Sequence, residues 1–341
     1  MDLLDYAPAS VRRGYPACYK RLVTVVPWLW AALYRLLDQR WFVPIYQPLR
    51  RRWNRLITGR FVRWVEQLKP DWMIATHFSP GDVLAAAGGG QWMRARGIVV
   101  ITDLFPHRLW LTSAPRAFVV GTERSKALCV ADGIDPQRIA VLGIPVSQAF
   151  GAPRDRSALR AQLGLDPQRP TVLISSGGMG HGPIAETVER LLVADAANPR
   201  RLQLLVVCGE NAELCAKLQR YAEQTATPMR VFGFVRNMPE LMAASDMMIT
   251  KAGGLTVTEA LASGLPMIFS GSIPSQEQFN AKYVVEQGAA VMSQTPEDAA
   301  RAVALLLEDP KRLEQLRERA RGLARPRAAE ELVQRLMENR I

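Results

Sequence analysis

The sequence predicts an α/β protein built as two doubly wound parallel-sheet domains facing each other across a cleft. Short apolar runs alternate with helical segments along the chain. Glycine-rich turns follow two of those runs, and 341 residues are enough for two domains. Composition agrees, since 48% hydrophobic and 22% charged residues describe a folded chain rather than a disordered one. Cys18, Cys129, Cys208 and Cys215 have no CxxC spacing, and His77, His107 and His181 lie far apart along the chain. Neither a metal site nor a disulfide framework is expected, and a reducing cytosol is the default compartment. Asp2 and Asp5 sit where a secretory signal would be basic and then apolar.

Met1–Asp5 reads as the end of a strand, as though an initial strand–loop–helix unit were absent. Residues 1–72 then hold 13 Lys/Arg against 5 Asp/Glu, which is +8 of the chain's +11, and all eight tryptophans fall within the first 110 residues. A basic, aromatic region of this kind suits an anionic partner surface. Membrane headgroups are favoured over nucleic acid, because no nucleic-acid motif is present. Leu22–Tyr34, "LVTVVPWLWAALY", has 13 residues including Pro27, short of the roughly 20 that span a bilayer. Its Trp and Tyr, flanked by Arg35, Arg40 and Arg50-Arg51-Arg52, suit the water–lipid boundary. A core helix pair with a solvated basic face is the alternative.

Strands are expected at Trp72–Thr76, Ile98–Thr102, Ala117–Val120 and Ile139–Leu142 in the first half. In the second half they are Thr171–Ser175, Leu202–Val207, Arg230–Phe232, Met247–Thr250, Pro266–Phe269 and Ala289–Met292. The polar stretch Gly151–Arg169 marks the boundary between domains at residues 1–150 and 151–341, with the final helix free to pack back on the first.

"VLISSGGMGHGPIAETVERLL" places Gly177, Gly178, Gly180 and Gly182 between a strand and a helix, where backbone amides can approach a phosphate. The same spacing fits a plain tight turn. It also fits a dinucleotide fingerprint, whose acidic partner would be Glu210. "TKAGGLTVTEALASGLPMIFSGSIPSQEQFN" repeats the pattern with Gly253-Gly254. Thr256 and Glu259 fit a capping box, and Gly264 a helix stop. Glu259 is then either a ribose ligand or a cap. Gln276, Glu277 and Asn280 open the next helix, meeting sugar hydroxyls or capping it. Two such turns on one sheet edge suit one nucleotide diphosphate held between them.

"GFVRNMPELMAASDMMITKAGGLTVTEALASGLPMIFSGSIPSQEQFNAKYVVEQGAA" resembles the donor-binding half of the diacylglycerol glycosyltransferases. These include monogalactosyldiacylglycerol synthases and processive diacylglycerol glucosyltransferases of the family 28 type. "SSGGMGHGPI", "VVCGEN" and "VITDLFPHRLWLTSAPRAFVVGTERSKALCVADGIDPQRIAVLGIPV" match family segments in order, so the resemblance covers almost the whole chain. It implies a GT-B fold of two Rossmann-like domains. It also implies inverting transfer of a hexose from a UDP-sugar to a lipid hydroxyl, such as that of diacylglycerol, at the inner face of the membrane. No cofactor and no metal are implied.

By position, Gly177, Gly178 and Gly180 would face the diphosphate, with Gly253 and Gly254 in the second turn. Phe232, Gly233 and Phe234 would hold the uracil by main chain, Glu259 the ribose, and Gln276 and Glu277 the sugar. Two departures stand out. The family's "CGRN" reads Cys208-Gly209-Glu210-Asn211. The family's opening glycine loop, with the histidine proposed as general base, has no counterpart in the sequence. His77, Asp103 and His107 are left as base candidates. The leading reading is a membrane-surface glycosyltransferase, with donor binding but little or no transfer expected of the 341-residue chain as written. The alternative is a degenerate UDP-sugar- or lipid-binding protein. A nicotinamide-dependent enzyme rests on the glycine loop alone.

Overall fold

The computed structural model describes residues 2–86, 95–111, 115–196, 202–271 and 276–341, which form two compact units. One comprises residues 2–144 with 328–341, the other residues 145–271 with 277–327. Among the described residues there are ten strands, one at each expected run.

In the first unit, Asp2 accepts a hydrogen bond from Leu4 N–H at 2.9 Å and opens a 3-10 helix, Leu3–Tyr6. The strand end expected over Met1–Asp5 is not formed in its described part, residues 2–5, because this cap turns the backbone instead. Helix α1 (Ala9–Val25) gives way to α2 (Pro27–Leu37) at Pro27, which has no N–H to continue the first helix and is preset for the start of the second. The long α3 (Val43–Leu68) follows, then β1 (Met73–Ala75), α4 (Phe78–Ala86), β2 (Gly97–Val100), α5 (Arg108–Leu111), β3 (Ala117–Val120), α6 (Glu123–Ala131) and β4 (Ile139–Val141). The four strands are parallel in the order β1-β2-β3-β4.

Side-chain alternation along β2 and β3 sorts the core into two layers. Val99, Ile101, Phe118 and Val120 pack with Trp110 and Cys129 on one side. Ile98, Val100, Ala117 and Val119 meet Leu332 and Leu336 of the last helix, Ala328–Met337, on the other.

The second unit runs α7 (Arg156–Gln162), β5 (Thr171–Ser175), α8 (Ile184–Ala196), β6 (Gln203–Val207), α9 (Ala212–Gln224), β7 (Met229–Phe232) and α10 (Met238–Ala244). It continues through β8 (Met247–Thr250), α11 (Gly254–Ala262), β9 (Met267–Ser270), α12 (Gln276–Glu286), β10 (Ala290–Ser293), α13 (Pro296–Glu308) and α14 (Pro310–Leu323). Its six strands are parallel in the order β10-β9-β8-β5-β6-β7. The chain therefore starts mid-sheet at β5, builds outward through β6 and β7, then crosses over to β8. The β5/β8 junction is a topological switch point, where open α/β sheets leave a crevice beyond their strand ends. Register sharpens this: Ser175 pairs with both Val207 and Thr250, and Val207 with Phe232, so four strands end level.

At β8's opposite end, Asp246 accepts from Arg160 at 2.6 Å, Arg156 at 2.9 Å and the Thr171 amide at 2.7 Å. This ion cluster pins α7 to the sheet.

Candidate functional site

Three loops of the second unit meet at the level strand ends. The loop after β5 is folded by Gly177, Gly180 and Gly182, with φ of 75°, 61° and 128°. Gly180 has a second reason to be glycine: a Cβ there would stand 1.8 Å from the Cys208 carbonyl oxygen. Gly209 is caught in the same way, its would-be Cβ 2.2 Å from the Gly178 oxygen. Glu210 N–H donates to the Gly178 carbonyl at 2.8 Å, and Asn211 Nδ2 to that of Gly180 at 3.2 Å. Asn211 also caps α9 by accepting from Leu214 N–H. The loops after β5 and β6 are thus locked backbone to backbone. A Cβ added at Gly177 would meet nothing within 4 Å, so that turn faces open space. The Glu210 side chain is exposed, and only its amide is tied into the loop.

Across the switch point, β8 ends in Lys251-Ala252-Gly253 before α11. Gly253 is the N-cap, at φ −65° and ψ 138°, and makes no side-chain cap hydrogen bond. The capping box expected from Thr256 and Glu259 is not formed. The helix starts two residues before Thr256, so that residue lies in the first turn and Glu259 in the second. The first intrahelical bond runs from Val257 N–H to Gly253 C=O at 2.9 Å, leaving earlier amides for other acceptors. Gly264, at φ 58°, does end the helix region as expected.

The Glu259 carboxyl makes no hydrogen bond or ion pair among the described residues, and burial pushes its pKa up to about 7. Asn280 is fully buried, its Nδ2 donating to the Ala252 carbonyl at 3.0 Å, so it braces the loop after β8. Lys251, which sequence reasoning passed over, lies with Nζ 3.7 Å from Glu277 Oε1. Burial raises the Glu277 pKa, and the Lys251 charge opposes that rise. Gln276 begins α12; its side chain lies outside the described residues. After β7, the Phe232 carbonyl accepts from Cys208 N–H at 2.8 Å, while Phe234 is exposed with its ring 3.9 Å from a would-be Gly178 Cβ. The predicted donor residues with described positions therefore gather on one sheet edge. Its backbone amides, one poised carboxyl and a lysine–glutamate pair can receive an anionic, hydroxyl-rich ligand.

In the first unit, His77 follows β1 and Asp103 and His107 follow β2, again beyond adjacent strand ends. His77 lies against Phe78 with ring centres 4.1 Å apart at a tilt of 34°, meets Trp110 edge-on at 6.0 Å, and accepts from Ser79 N–H at Nδ1 over 3.3 Å. His107 is different. It is buried, its Nε2 lies 2.8 Å from the Tyr34 carbonyl, and its Nδ1 accepts from Leu109 N–H at 3.0 Å. That pattern fixes a neutral ring with the proton on Nε2, and burial lowers the pKa further. Both ring nitrogens of buried His107 are thus engaged inside the protein, whereas His77 is exposed, so of the three base candidates His107 is the least accessible. Asp103 is half-buried.

Leu22–Tyr34 is split between inside and outside. Ala31 and Tyr34 are buried, while Val25, Trp28, Leu29 and Leu33 are exposed. A second apolar stripe was hidden between arginines. Ile45, Leu49, Trp53 and Leu56 are exposed on one side of α3, with Trp41 exposed just before it. Steps of four, four and three residues keep them on one side, opposite the buried Phe61 and Val65. Exposed Arg52, Arg60 and Arg63 fall on the same side. Among the described residues no helix is long and apolar enough to cross a membrane.

Residues 171–332 match the glycosyltransferase family 28 C-terminal domain, and residues 1–146 match monogalactosyldiacylglycerol (MGDG) synthase. A probable monogalactosyldiacylglycerol synthase 3, chloroplastic, from Oryza sativa subsp. japonica is 32% identical over 333 residues, covering 94% of this chain and 63% of the relative. The Arabidopsis thaliana monogalactosyldiacylglycerol synthase 3, chloroplastic, is 37% identical over 246 residues, covering 69% and 52%. The Staphylococcus aureus processive diacylglycerol beta-glucosyltransferase is 35% identical over 207 residues, covering 61% and 52%. The chain thus spans less than two thirds of each of these relatives. Among solved structures, Acinetobacter baumannii MurG aligns with TM-score 0.60 at 20% identity, covering 84% of this chain and 78% of that one. Anabaena HepE in complex with UDP and glucose aligns with TM-score 0.55 at 16% identity, covering 81% and 80%. At such identities the structural likeness establishes the fold.

Proposed function

Because this chain belongs to the diacylglycerol glycosyltransferase family, we propose that it transfers a hexose from a UDP-sugar to the hydroxyl of a lipid acceptor such as diacylglycerol. The observation that supports this most directly is the switch-point edge, where glycine stands at positions 180 and 209 because any side chain would strike the facing backbone. The diphosphate lies along the glycine loop after β5, the ribose hydroxyls at Glu259, the uracil at the main chain of Phe232–Phe234, and the sugar at Gln276 and Glu277. The acceptor oxygen bonds to the sugar C1 as the C1–O bond to the β-phosphate breaks, and the electron pair departs on UDP. The acceptor's proton passes to a base, for which His77 and Asp103 are the candidates. Oriented amides disperse the charge of the leaving diphosphate.

The same reading places the reaction at the inner face of the membrane, with the exposed apolar sides of α2 and α3 and their arginines resting on anionic headgroups.

The test is incubation of the purified chain with UDP-hexose and diacylglycerol in mixed micelles. The expected result is glycolipid with stoichiometric UDP, in place of the little or no transfer expected from the sequence, because His77 and Asp103 remain as base candidates. Protection against thermal unfolding by UDP, and none by NAD, is expected with it. Protection by NAD and not by UDP would overturn the donor assignment. UDP protection without glycolipid would overturn the transfer.

A further inference from the structure

We propose that Lys251, held beside Glu277 at the β5/β8 switch point, is the cation that receives the β-phosphate of the donor. This rests on the donor site proposed above and adds a residue to it. Lys251 is the first residue past β8, and the pairing of Ser175 with Thr250 sets it level with Ser176 at the start of the glycine loop. A Cβ on Gly182 would lie 3.1 Å from Ser176 Oγ and 3.8 Å from Lys251 Cδ. The lysine stem therefore runs alongside the loop that offers its amides to the diphosphate. Its head reaches the first turn of α12, where Glu277 lies. The side chains of Lys251 and Glu277 are 14% and 20% exposed, so neither is a loose surface charge.

Charge favours a role beyond a static pair. A diphosphate brings at least two negative charges to an edge that already carries Glu277 and Glu259. Amides contribute partial charges only, so without Lys251 the edge would meet the donor with an anionic balance. Lysine has three N–H donors. At 3.7 Å the contact with Glu277 is longer than an ordinary charged hydrogen bond, so donor capacity remains for a phosphate oxygen. Glu277 then orients the ammonium and stays adjacent to the sugar that the diphosphate carries. As the C1–O bond breaks, negative charge grows on the β-phosphate, and a fixed cation there favours the departing state over the bound one.

The α- and β-phosphates separate the hypotheses. Calorimetric titration of UDP and UMP is carried out on the wild-type chain, Lys251→Met, Lys251→Gln and Lys251→Arg. The expected result is a preference of the wild type for UDP that falls about tenfold to a hundredfold in Lys251→Met, with UMP affinity unchanged. Lys251→Arg should restore part of the preference. Lys251→Gln, which removes the charge but keeps a polar head beside Glu277, gives the same readout if Lys251→Met fails to fold. An unchanged UDP-to-UMP ratio in folded Lys251→Met or Lys251→Gln would overturn the assignment and leave the donor site standing. A wild-type chain that binds neither nucleotide would overturn both.

Discussion

A side chain at Gly180 would put its Cβ 1.8 Å from the Cys208 carbonyl oxygen, so the loops after β5 and β6 touch through their backbones. No rotamer relieves such an overlap. Gly180→Ala also carries a φ of 61° that costs about 1–2 kcal/mol for an L side chain. The expected outcome is a UDP affinity at least tenfold weaker and a melting temperature lowered by several degrees. Gly177→Ala should lose only the backbone strain, because its Cβ meets open space. Titration calorimetry and thermal melts on the two variants check the contrast, which equal losses would contradict.

Glu259 gives a pH signature. Its carboxyl is raised from 4.5 to about 7 by burial. The folded chain therefore binds this proton more tightly than the unfolded one. Its contribution to stability is present below about pH 4.5, declines as pH rises, and is gone above about 7. Glu259→Gln should flatten that part of the pH–stability curve in the nucleotide-free chain. Ribose hydroxyls donate to the ionised form, so wild-type UDP affinity should rise from about pH 6 to about pH 8, and the Gln variant's should not. Glu259→Ala should weaken UDP by about 1–3 kcal/mol through an unpaired buried hydroxyl. Calorimetry across that pH range measures all three.

The two histidines near the first sheet's edge should separate stability from chemistry. His107→Ala leaves the Tyr34 carbonyl and the Leu109 amide without their buried partner, at a cost of about 1–3 kcal/mol. His77→Asn should leave denaturant midpoints nearly unchanged and lower glycolipid formation by about 10² or more if His77 is the base. Transfer that survives His77→Asn would move that role to Asp103.

Most of the strand framework was legible because both sheets are parallel and buried. Runs such as Met247–Thr250 and Gln203–Val207 are buried throughout and apolar but for one polar residue at an end, so no alternating polar face blurs them. The glycine loop was legible as a pattern. Its reason was not, since the Gly180–Cys208 approach joins loops from two strands. Thr256 misled because a Thr followed by Glu at three residues is the usual capping signature. Gly253, which needs no side chain to turn the backbone, took the cap instead. Lys251 and Glu277 are 26 positions apart in sequence and meet only through the fold. The stripe on α3 was readable at steps of four and three, but arginines interrupt it, and Leu22–Tyr34 is the more conspicuous apolar run.

Asp246 should be the most costly single charge to remove from the second unit. It holds Arg160, whose side chain is 6% exposed, and Arg156, and it accepts from the Thr171 amide at the start of β5. Asp246→Ala strands a buried guanidinium, which typically costs about 3–5 kcal/mol. Asp246→Asn keeps the shape and the Thr171 bond but loses the charge, so a smaller loss is expected. Urea unfolding measures both, and a change under about 1 kcal/mol in Asp246→Ala would show the cluster to be solvated.

The exposed side of α3 should carry membrane contact more than the Leu22–Tyr34 run does. Leu49 and Trp53 are 70% and 57% exposed, one turn apart, with Arg52, Arg60 and Arg63 on the same side. Burying one large apolar side chain is worth about 1.5–3 kcal/mol in full, and an interfacial position recovers part of that. Each arginine near an anionic surface adds about 1 kcal/mol, and that share is screened by salt. Leu49→Asp with Trp53→Asp should therefore reduce sedimentation with phosphatidylglycerol-containing vesicles by at least tenfold at every salt concentration, with an unchanged melting temperature because neither side chain is in the core. Arg52→Gln with Arg60→Gln should reduce binding at low salt and make little difference at high salt. In the same assay Trp28→Asp with Leu33→Asp should have the weaker effect, because α2 also buries Ala31 and Tyr34 in the protein and offers a narrower exposed side. Should the α2 pair abolish binding while the α3 pair leaves it intact, the contact belongs to the N-terminal run and the α3 stripe is merely solvated.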